Sequence, residues 1–575
     1  MNSTPTISKP SREKPWMRLY PADMPEYIAP NDTLTDFILK SCADHDKPVI
    51  EYYGRTFSIN QLLAEARKTA SAMWRLGLRK NDEVVLFVRS APEFLILLFA
   101  AEMIGVTIVC RDGIPADHTE AIRISHAKVA FAYDYIDCGE EKFYYDDTEL
   151  CHLILLSPYT YADKAGIPEY VEKSIEKLYV NRRPGMTADQ RSILWKDFIS
   201  GGEGVSFETA EKNIDRPLYC SYTSGSTGPS KEVIHSARTI TGMLGQLVIP
   251  DAQKGITLRV LLTLLPPALV AVVSPTMLYN VAMGNYLILD PFCEFEDIDL
   301  EFMKYRPNQM IAIFMMADYL MRSERIPKDY DMSFLYVIGG GADTVHNKWL
   351  KQIQAFLAEH HSSAVYSMCY GLSEVGSAAT NPYPGISFLD CCSGIPMRGT
   401  NITVCRHNSQ EELDYGEFGE ICVSGPGAMV GYANEEDTRL KLQRHSDGNL
   451  WVHTGDYGMI NEKGEVFVYS RGYNETYDRH PLMTTVMENK LCELEGIKDC
   501  FFVMAGDAKH QGFAKPYLFV VPEEGRTISE LEPSIRAALE PWEYPEKIYH
   551  IEKREFFHFK TNRREFCRMI MNGEI

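Results

Sequence analysis

The chain has 575 residues, of which 45% are hydrophobic and 24% charged, a composition typical of globular proteins built from several domain-sized units. Its formal net charge of −21 argues against nucleic acid as the main partner, because a polyanion would be repelled. The 14 cysteines lack the spacing of a metal-binding cluster, and the N-terminus lacks the apolar run of a signal peptide. Both features favour a reducing compartment, and we expect the cytoplasm.

The N-terminal part alternates predicted helices and strands. Residues 58–76 predict an amphipathic helix that Ser58 and Gln61 would cap. The run EVVLFV then predicts a strand, Pro92 opens an apolar helix too short to span a bilayer, and VTIVC predicts another buried strand. This order predicts an α/β layer with a parallel sheet and no integral membrane segment. Residues 140–215 are polar and poorly periodic, so we expect a surface excursion there.

The C-terminal part changes character twice. Glycine recurs between short apolar runs over residues 416–456, which predicts a β-rich subdomain. Beyond Arg471 come a helix near 487–494, the strand YLFVVP and the helix ISELEPSIRAALE. We therefore expect two domains of the α/β class: a large N-terminal domain of layered sheets and helices over residues 1–471, and a small α+β domain over residues 472–575.

The segment YTSGSTGPSKEVIHS, residues 222–236, has the ingredients of a phosphate-binding loop. Its glycines leave backbone N–H groups free to surround an anion, its Ser and Thr side chains add hydroxyl donors, and Lys231 supplies a positive charge. The Gly-Lys-Ser/Thr ending of a P-loop is missing. On its own, this composition is more typical of a surface turn.

Three further motifs share the short, glycine-containing character of this loop. They are IGGGAD at 338–343, YGLSEVG at 370–376 and HTGD at 453–456. Together, and in this order, the four segments resemble the adenylate-forming superfamily of acyl-CoA synthetases, luciferases and nonribosomal-peptide adenylation domains. The run KEVIHS, which contains His235, resembles the acetyl- and medium-chain acyl-CoA synthetases more than the luciferases.

The resemblance implies which residues contact ATP. They are Thr223, Ser224, Gly225, Ser226, Thr227, Gly228, Gly340, Gly341, Ala342, Tyr370, Gly371, Asp456 and Arg471. In the family pattern the glycine loop grips the β- and γ-phosphates, and the tyrosine lies against the adenine ring. The aspartate and the arginine reach the ribose.

The resemblance also implies three catalytic residues, Lys231, Ser373 and Glu374. Ser373 would contact the α-phosphate, and Glu374 would bind Mg²⁺, an ion that prefers oxygen ligands. When a carboxylate attacks an α-phosphate, two negative charges approach each other, and Lys231 and Mg²⁺ would offset the repulsion. Without the surrounding motif, Glu374 would be interpreted as an acid at a helix N-terminus, and Asp456 as a turn residue.

The acid pocket is expected near LLPPALVAVVSP, residues 264–275, with His235, Ala268, Leu269 and Gly341 as its residues. This stretch contains no carboxylate, so the ammonium group of an amino acid would be buried without a partner, at a large free-energy cost. We therefore expect an apolar carboxylic acid as substrate. The same stretch is also typical of a core strand followed by a helix start.

The C-terminal motifs depart from the family pattern. Where the family has an acidic hinge after the arginine, this chain reads RGYNETYDRH. Near the end, in KTNRREFCR, an ungapped comparison puts Glu565 at the position of the family's catalytic lysine. We expect either that Lys560, Arg563 or Arg564 supplies the positive charge, or that the first step is slow.

The resemblance implies an AMP-forming acid–thiol ligase that activates an apolar carboxylic acid with ATP and Mg²⁺ and transfers it to CoA. Two alternatives stay open. One is an acyl-AMP ligase that loads the phosphopantetheine of a carrier protein. The other is a nucleotide- or acyl-binding pseudoenzyme with a degenerate C-terminal domain.

Overall fold

The computed structural model describes residues 9–111, 121–135, 145–146, 148–180, 191–223, 230–248, 256–341, 343–557 and 560–575. Within them the chain forms two large sheets, a smaller antiparallel sheet and a C-terminal three-stranded sheet. Strands and helices are numbered separately along the chain.

The first large sheet has eight strands. Their spatial order is β19 (Gly431–Tyr432), β9 (Glu232–Ser236), β8 (Pro217–Tyr222), β4 (Thr107–Cys110), β3 (Glu83–Phe87), β5 (Val129–Tyr133), β6 (His152–Leu156) and β7 (Ser192–Leu194). From β8 to β7 all neighbours are parallel, which confirms the predicted α/β layering. Val84 and Leu86 pack into one apolar core and Val85 and Phe87 into another, so both faces of the sheet are covered.

The second large sheet has seven strands. Their order is β14 (Val365–Met368), β13 (Val337–Gly340), β12 (Gln309–Ile311), β10 (Arg259–Thr263), β11 (Tyr286–Asp290), β1 (Pro48–Tyr52) and β2 (Arg55–Ser58). Every pair except β1 and β2 is parallel. One continuous apolar core contains residues of both large sheets and of two long helices between β2 and β4.

The helices of the described residues flank these sheets. They are α1 (Pro10–Glu13), α2 (Leu34–Ser41), α3 (Ile59–Arg75), α4 (Pro92–Ile104), α5 (Glu169–Val180), α6 (Trp195–Gly201), α7 (Ala237–Leu247), α8 (Val270–Val272), α9 (Tyr279–Ala282), α10 (Ile298–Tyr305), α11 (Phe314–Arg322), α12 (Asn347–Glu359), α13 (Glu435–Lys441), α14 (Thr484–Cys492), α15 (Ile528–Ala538) and α16 (Arg563–Met571). Among these helices, none combines the length and the apolar composition needed to cross a membrane.

The predicted elements of the N-terminal part are confirmed with one exception. The capping box of α3 is present, because Ser58 Oγ accepts the Gln61 N–H and the Gln61 side chain accepts the Ser58 N–H. The expectation of a surface excursion over 140–215 is wrong. Within that range β6 and β7 extend the first sheet, and α5 packs Val171 and Ile175 into the core.

The glycine-punctuated stretch forms the predicted β-rich region. Its antiparallel sheet contains β17 (Asn401–Cys405), β18 (Gly419–Ser424), β21 (Leu450–Ile460), β20 (Leu442–Arg444) and β22 (Val466–Arg471), and a small pair is formed by β15 (Thr380–Asn381) and β16 (Ile395–Pro396). Strand β22 ends at Arg471, and the C-terminal segment begins at the next residue.

The C-terminal segment, residues 472–575, has its own sheet and apolar clusters. The strands are β23 (Ile497–Gly506), β24 (Ala514–Pro522) and β25 (Lys547–His550), with a short pair β26 (Phe556–Phe557) and β27 (Lys560–Thr561). Helices α14 and α15 pack on one side of the sheet and α16 on the other.

Candidate active site

A β-hairpin holds both ends of the glycine loop. β8 and β9 pair antiparallel, and the ladder ends where the Thr223 N–H donates to the Lys231 carbonyl oxygen at 2.9 Å. The Lys231 N–H returns a hydrogen bond to Thr223 Oγ1 at 2.9 Å. The predicted loop residues between them lie outside the described residues; they are Ser224, Gly225, Ser226, Thr227 and Gly228.

The predicted catalytic residues Lys231 and Glu374 meet at one tyrosine. The Lys231 ammonium lies 2.6 Å from Asp437 Oδ1 and 5.2 Å from the centre of the Tyr432 ring. The Tyr432 hydroxyl donates to Glu374 Oε1 at 2.5 Å. Burial, and then the Glu374 carboxylate, raise the pKa of Tyr432, so its hydroxyl stays protonated and keeps donating. Ser373 begins the 3₁₀ turn that carries Glu374.

Five predicted ATP contacts line one cavity of about 540 Å³. They are Gly341, Tyr370, Gly371, Asp456 and Arg471. The Tyr370 hydroxyl donates to Asp456 Oδ2 at 2.9 Å, and Asp456 faces Arg471 across the β21–β22 pair. The cavity therefore offers an aromatic ring, a carboxylate and a guanidinium, which suit a purine base and the hydroxyls of a ribose.

Close packing explains two of the motif glycines. A Cβ at Gly371 would lie 1.6 Å from the Ser377 carbonyl oxygen, and a Cβ at Gly340 would lie 2.1 Å from the Tyr366 hydroxyl oxygen. Neither position has room for a side chain. Ala342, the remaining residue of the predicted adenine-side turn, lies outside the described residues.

Asp456 is a strand residue whose two preceding residues are anchored by their backbone. The Gly455 N–H donates to Glu420 Oε1 at 2.9 Å, and Lys441 Nζ donates to the Thr454 carbonyl oxygen at 2.6 Å. The interpretation of Asp456 as a turn residue is therefore wrong, because the HTGD motif lies inside β21. This anchoring holds the Asp456 carboxylate at the cavity wall.

The four predicted acid-pocket residues are divided between two places. Gly341 lines the cavity, whereas His235 is buried on β9 and Ala268 is buried in the loop after β10. Tyr219 connects the latter two, since its ring stacks on His235 with centroids 6.0 Å apart and its hydroxyl donates to the Pro267 carbonyl oxygen at 2.5 Å.

His235 is a neutral, buried imidazole. It lies on strand β9. Burial lowers the pKa of His235 to about 4, and within the described residues its Nδ1 has no hydrogen-bond partner. Leu269, which is partly buried, caps α8 just before a π-helix at Val273–Leu278, a distortion often found at functional sites.

The C-terminal segment contributes three cations to the same cavity: Lys560, Arg563 and Arg564. Burial, and then the positive charge of Arg471, lower the pKa of Lys560 to about 8. Glu565 points elsewhere, because it pairs with Arg568 at 2.7 Å and leaves 44% of its side chain exposed. Glu565 is therefore not among the residues that line this cavity, whereas Lys560 is.

Sequence reasoning missed three residues of this site. Tyr432 and Asp437 contact Glu374 and Lys231, and Asp343 lines the cavity beside Gly341. Asp343 ends the IGGGAD motif, so its position after a strand of a parallel sheet was the available signal. No local pattern marks Tyr432 or Asp437, since their partners are distant in the chain.

The chain is similar to known proteins over most of its length. A family model described as an AMP-binding enzyme matches residues 40–433. The long-chain-fatty-acid–CoA ligase of Escherichia coli O157:H7 is 24% identical over 80% of this chain and 81% of its own length. The long-chain-fatty-acid–CoA ligase of Bacillus subtilis (strain 168) is 23% identical over 94% of this chain and 95% of its own length.

Solved structures share the fold over almost the whole chain. ATP-bound MatB from Rhodopseudomonas palustris superposes with a TM-score of 0.75 at 17% identity, covering 94% of this chain and 99% of MatB. The anthranilate CoA ligase AuaEII, in complex with anthranoyl-AMP, gives a TM-score of 0.75 at 14% identity over 96% and 99% of the two chains. These likenesses confirm the expected α/β fold.

Proposed function

Since the chain belongs to the AMP-binding enzyme family, as its resemblance predicted, we propose that it joins an apolar carboxylic acid to CoA with ATP as the activating co-substrate. A carboxylate oxygen attacks the α-phosphorus of ATP, pyrophosphate leaves, and an acyl adenylate forms. The thiol of CoA then attacks the acyl carbonyl carbon, loses its proton, and displaces AMP. The names of the CoA ligases described above support this reaction.

The observation that carries the proposal is the convergence of cavity residues from three separate motifs. Tyr370 presents a ring for the adenine, and Asp456 and Arg471 present a carboxylate and a guanidinium for the ribose. Such groups are held in place before any ligand arrives, which lowers the cost of ordering them on binding.

The phosphate side of the site rests on Lys231 and Glu374. The Glu374 carboxylate is oriented by Tyr432, and a carboxylate oxygen is the ligand type that Mg²⁺ prefers, so the residues present fit this ion. Mg²⁺ bound there would neutralise phosphate charge. Lys231 would bind the β- and γ-phosphates once it exchanges Asp437 for them.

Lys560 supplies the positive charge that the first step requires. It lies in the cavity with Arg471, whereas Arg563 is already paired with Glu488 at 3.0 Å. An ammonium group between an incoming carboxylate and the α-phosphate reduces their repulsion as they approach.

The acid is apolar because the expected pocket segment has no carboxylate to pair with an α-ammonium group. Ala268 is buried, His235 is neutral, and residues 264–275 contain no Asp or Glu. The division of labour follows the chain: residues 1–471 bind the nucleotide and the acid, and residues 472–575 act as a mobile lid that brings Lys560 to them.

Pyrophosphate exchange across a panel of carboxylic acids tests the function. We expect exchange with apolar acids, weak exchange with the α-amino acid matched in size to each active acid, and acyl-CoA as the product when CoA is added. Acyl-AMP without acyl-CoA would favour a carrier-protein ligase, and ATP binding without exchange would favour a pseudoenzyme. An amino acid preferred over its deaminated analogue would contradict the apolar pocket.

A further inference from the structure

A buried chain of charges links the C-terminal segment to the rest of the molecule. Asp343, at the cavity edge, accepts the Thr561 N–H at 2.8 Å and the Thr561 hydroxyl at 2.6 Å through Oδ2. Its other oxygen lies 3.5 Å from Arg563. Thr561 is the residue after Lys560, so these contacts set the backbone position from which the Lys560 side chain enters the cavity.

The chain of charges continues to a second anchor. Arg563 is bidentate to Glu488, at 3.0 and 3.1 Å, and Glu488 Oε2 lies 3.3 Å from His346 Nε2 at the start of α12. Although burial opposes it, Arg563 and His346 lower the pKa of Glu488 to about 2. Asp343 and His346 are therefore the two ends of this chain of charges. The C-terminal segment contributes the residues between them, Arg563 and Glu488.

Two ion pairs near this chain of charges are exposed and therefore weaker. Lys351 pairs with Glu493 at 2.8 Å and Lys348 with Glu523 at 3.2 Å, and these side chains are 29–57% exposed. Exposed pairs contribute little, whereas removing one partner of a buried, hydrogen-bonded pair is costly because the other charge is left unpaired. The contacts of Asp343 are not weakened by solvent in this way, since only 11% of its side chain is exposed.

We propose that Asp343 is a positioning residue: by binding Thr561 and Arg563 it docks the C-terminal segment in the arrangement that places Lys560 in the cavity. This proposal rests on the proposed function for its catalytic consequence. The docking of the C-terminal segment, which is its structural consequence, does not depend on the proposed function. Lys560 acts directly on the reacting groups, and Asp343 acts through Lys560.

Cys492 offers a readout of docking that needs no activity. Its residue is 2% exposed: it packs in the apolar cluster of the C-terminal segment, and its Sγ contacts His346 Nδ1 of the rest of the chain at 3.1 Å. When the C-terminal segment moves away, His346 leaves and the side of the thiol that it contacts is opened to solvent. Alkylation of Cys492 thus measures the undocked population.

The experiment compares the full-length chain with Asp343→Asn, with Thr561→Val and the conservative Thr561→Ser, and with Asp215→Asn as control. Asp215 also pairs with an arginine but is 64% exposed and lies far along the chain from this cluster. Iodoacetamide labelling of Cys492 is followed by peptide mass spectrometry, and acyl-adenylate formation is measured in a single turnover. Thioester formation from supplied acyl-AMP is measured separately.

We expect Asp343→Asn to speed labelling of Cys492 and to slow acyl-adenylate formation, each by about 10- to 100-fold, the factor that corresponds to losing one or two charge-assisted hydrogen bonds. Thioester formation should change much less, because the repulsion that Lys560 offsets has gone once the adenylate exists. Thr561→Val should follow Asp343→Asn in direction, and Thr561→Ser and Asp215→Asn should resemble the parent chain.

Buried Cys422, in the antiparallel sheet, controls for unfolding. If Cys422 also becomes reactive in Asp343→Asn, that variant is unfolding, and the labelling of Cys492 in Thr561→Val then tests the docking role. Unchanged labelling of Cys492 in a folded variant overturns the docking role, whether or not the chain proves to be a ligase. Faster labelling with unchanged adenylation overturns the positioning of Lys560 and leaves docking intact. A chain with no ligase activity leaves the labelling result to decide the docking role alone.

Discussion

At the scale of single residues, Lys231, which we propose to bind phosphate, is paired with a carboxylate that a ligand could replace. Its charge is neutralised by Asp437 at 2.6 Å, but both side chains are about one-third exposed, at 38% and 33%. A pair this exposed contributes at most about 1 kcal/mol. A polyphosphate carries more charge than one carboxylate, so it can take the lysine from Asp437 at small cost.

We expect Lys231→Ala to reduce kcat/KM for ATP by about 2–4 kcal/mol in transition-state free energy, the scale of one preorganised charge. Steady-state kinetics at varied ATP checks this. Asp437→Asn is the matched variant, and it should lower the KM for ATP slightly, by less than about 1 kcal/mol, because Lys231 is then unpaired. An unchanged kcat/KM in Lys231→Ala would remove Lys231 from the site.

At the scale of elements, α4 is notable because it is apolar on every side. Its sequence, PEFLILLFAAEMI, shows no polar stripe, and its residues from Pro92 to Ala101 are buried, most of them in the apolar core that also contains residues of both large sheets. A helix that is hydrophobic all round requires a partner on each face. The helix is too short to span a membrane. Its apolar faces are instead covered by the core that contains residues of both large sheets.

Leu97→Ala should therefore destabilise the chain by about 2–5 kcal/mol, since it removes buried methyl groups and leaves a cavity. Denaturant unfolding followed by fluorescence measures the change. Leu440→Ala is the control, because Leu440 is 67% exposed and its removal should cost less than about 0.5 kcal/mol. Equal midpoints for the two variants would contradict the buried position of α4.

At the scale of the whole molecule, the cavity is completed by residues that are far apart in the chain. Lys560 lies about one hundred positions beyond Asp456, yet both line the same cavity. The groups that act on Lys560 are Arg471, which lowers its pKa, and Asp343, Asp456 and Glu374, which oppose that effect. Burial is the largest influence and leaves the pKa at about 8.

The pH dependence of adenylation follows from this value. Lys560 is charged below its pKa, so the single-turnover rate should be high at neutral pH and fall as the pH rises through about 8. Lys560→Arg should keep its charge, and its rate should stay level up to about pH 9.5. Glu565→Gln serves as control and should retain the parent profile; a fall near pH 8 that persists in Lys560→Arg would contradict the assignment to Lys560.

The chain sequence by itself determined the local features. Helix α3 with its capping box, the buried helix α4, the parallel strands and the four glycine motifs each depend on residues within about ten positions of one another, where propensity and periodicity act. The motif order also predicted the family. The prediction of a surface excursion over 140–215 was wrong because the short apolar run of β6 is a weak signal among charged neighbours.

The tertiary structure alone decided which distant side chains meet. The packing of sheets and helices brings Lys231 and Glu374 to the same residue, Tyr432. It also brings Lys560 rather than Glu565 to the cavity, and Asp343 into contact with Thr561. Such contacts depend on sub-ångström packing and on the register of α16 against β23. A contact through space leaves no periodic trace in one sequence, because neither partner's neighbours encode the other's position.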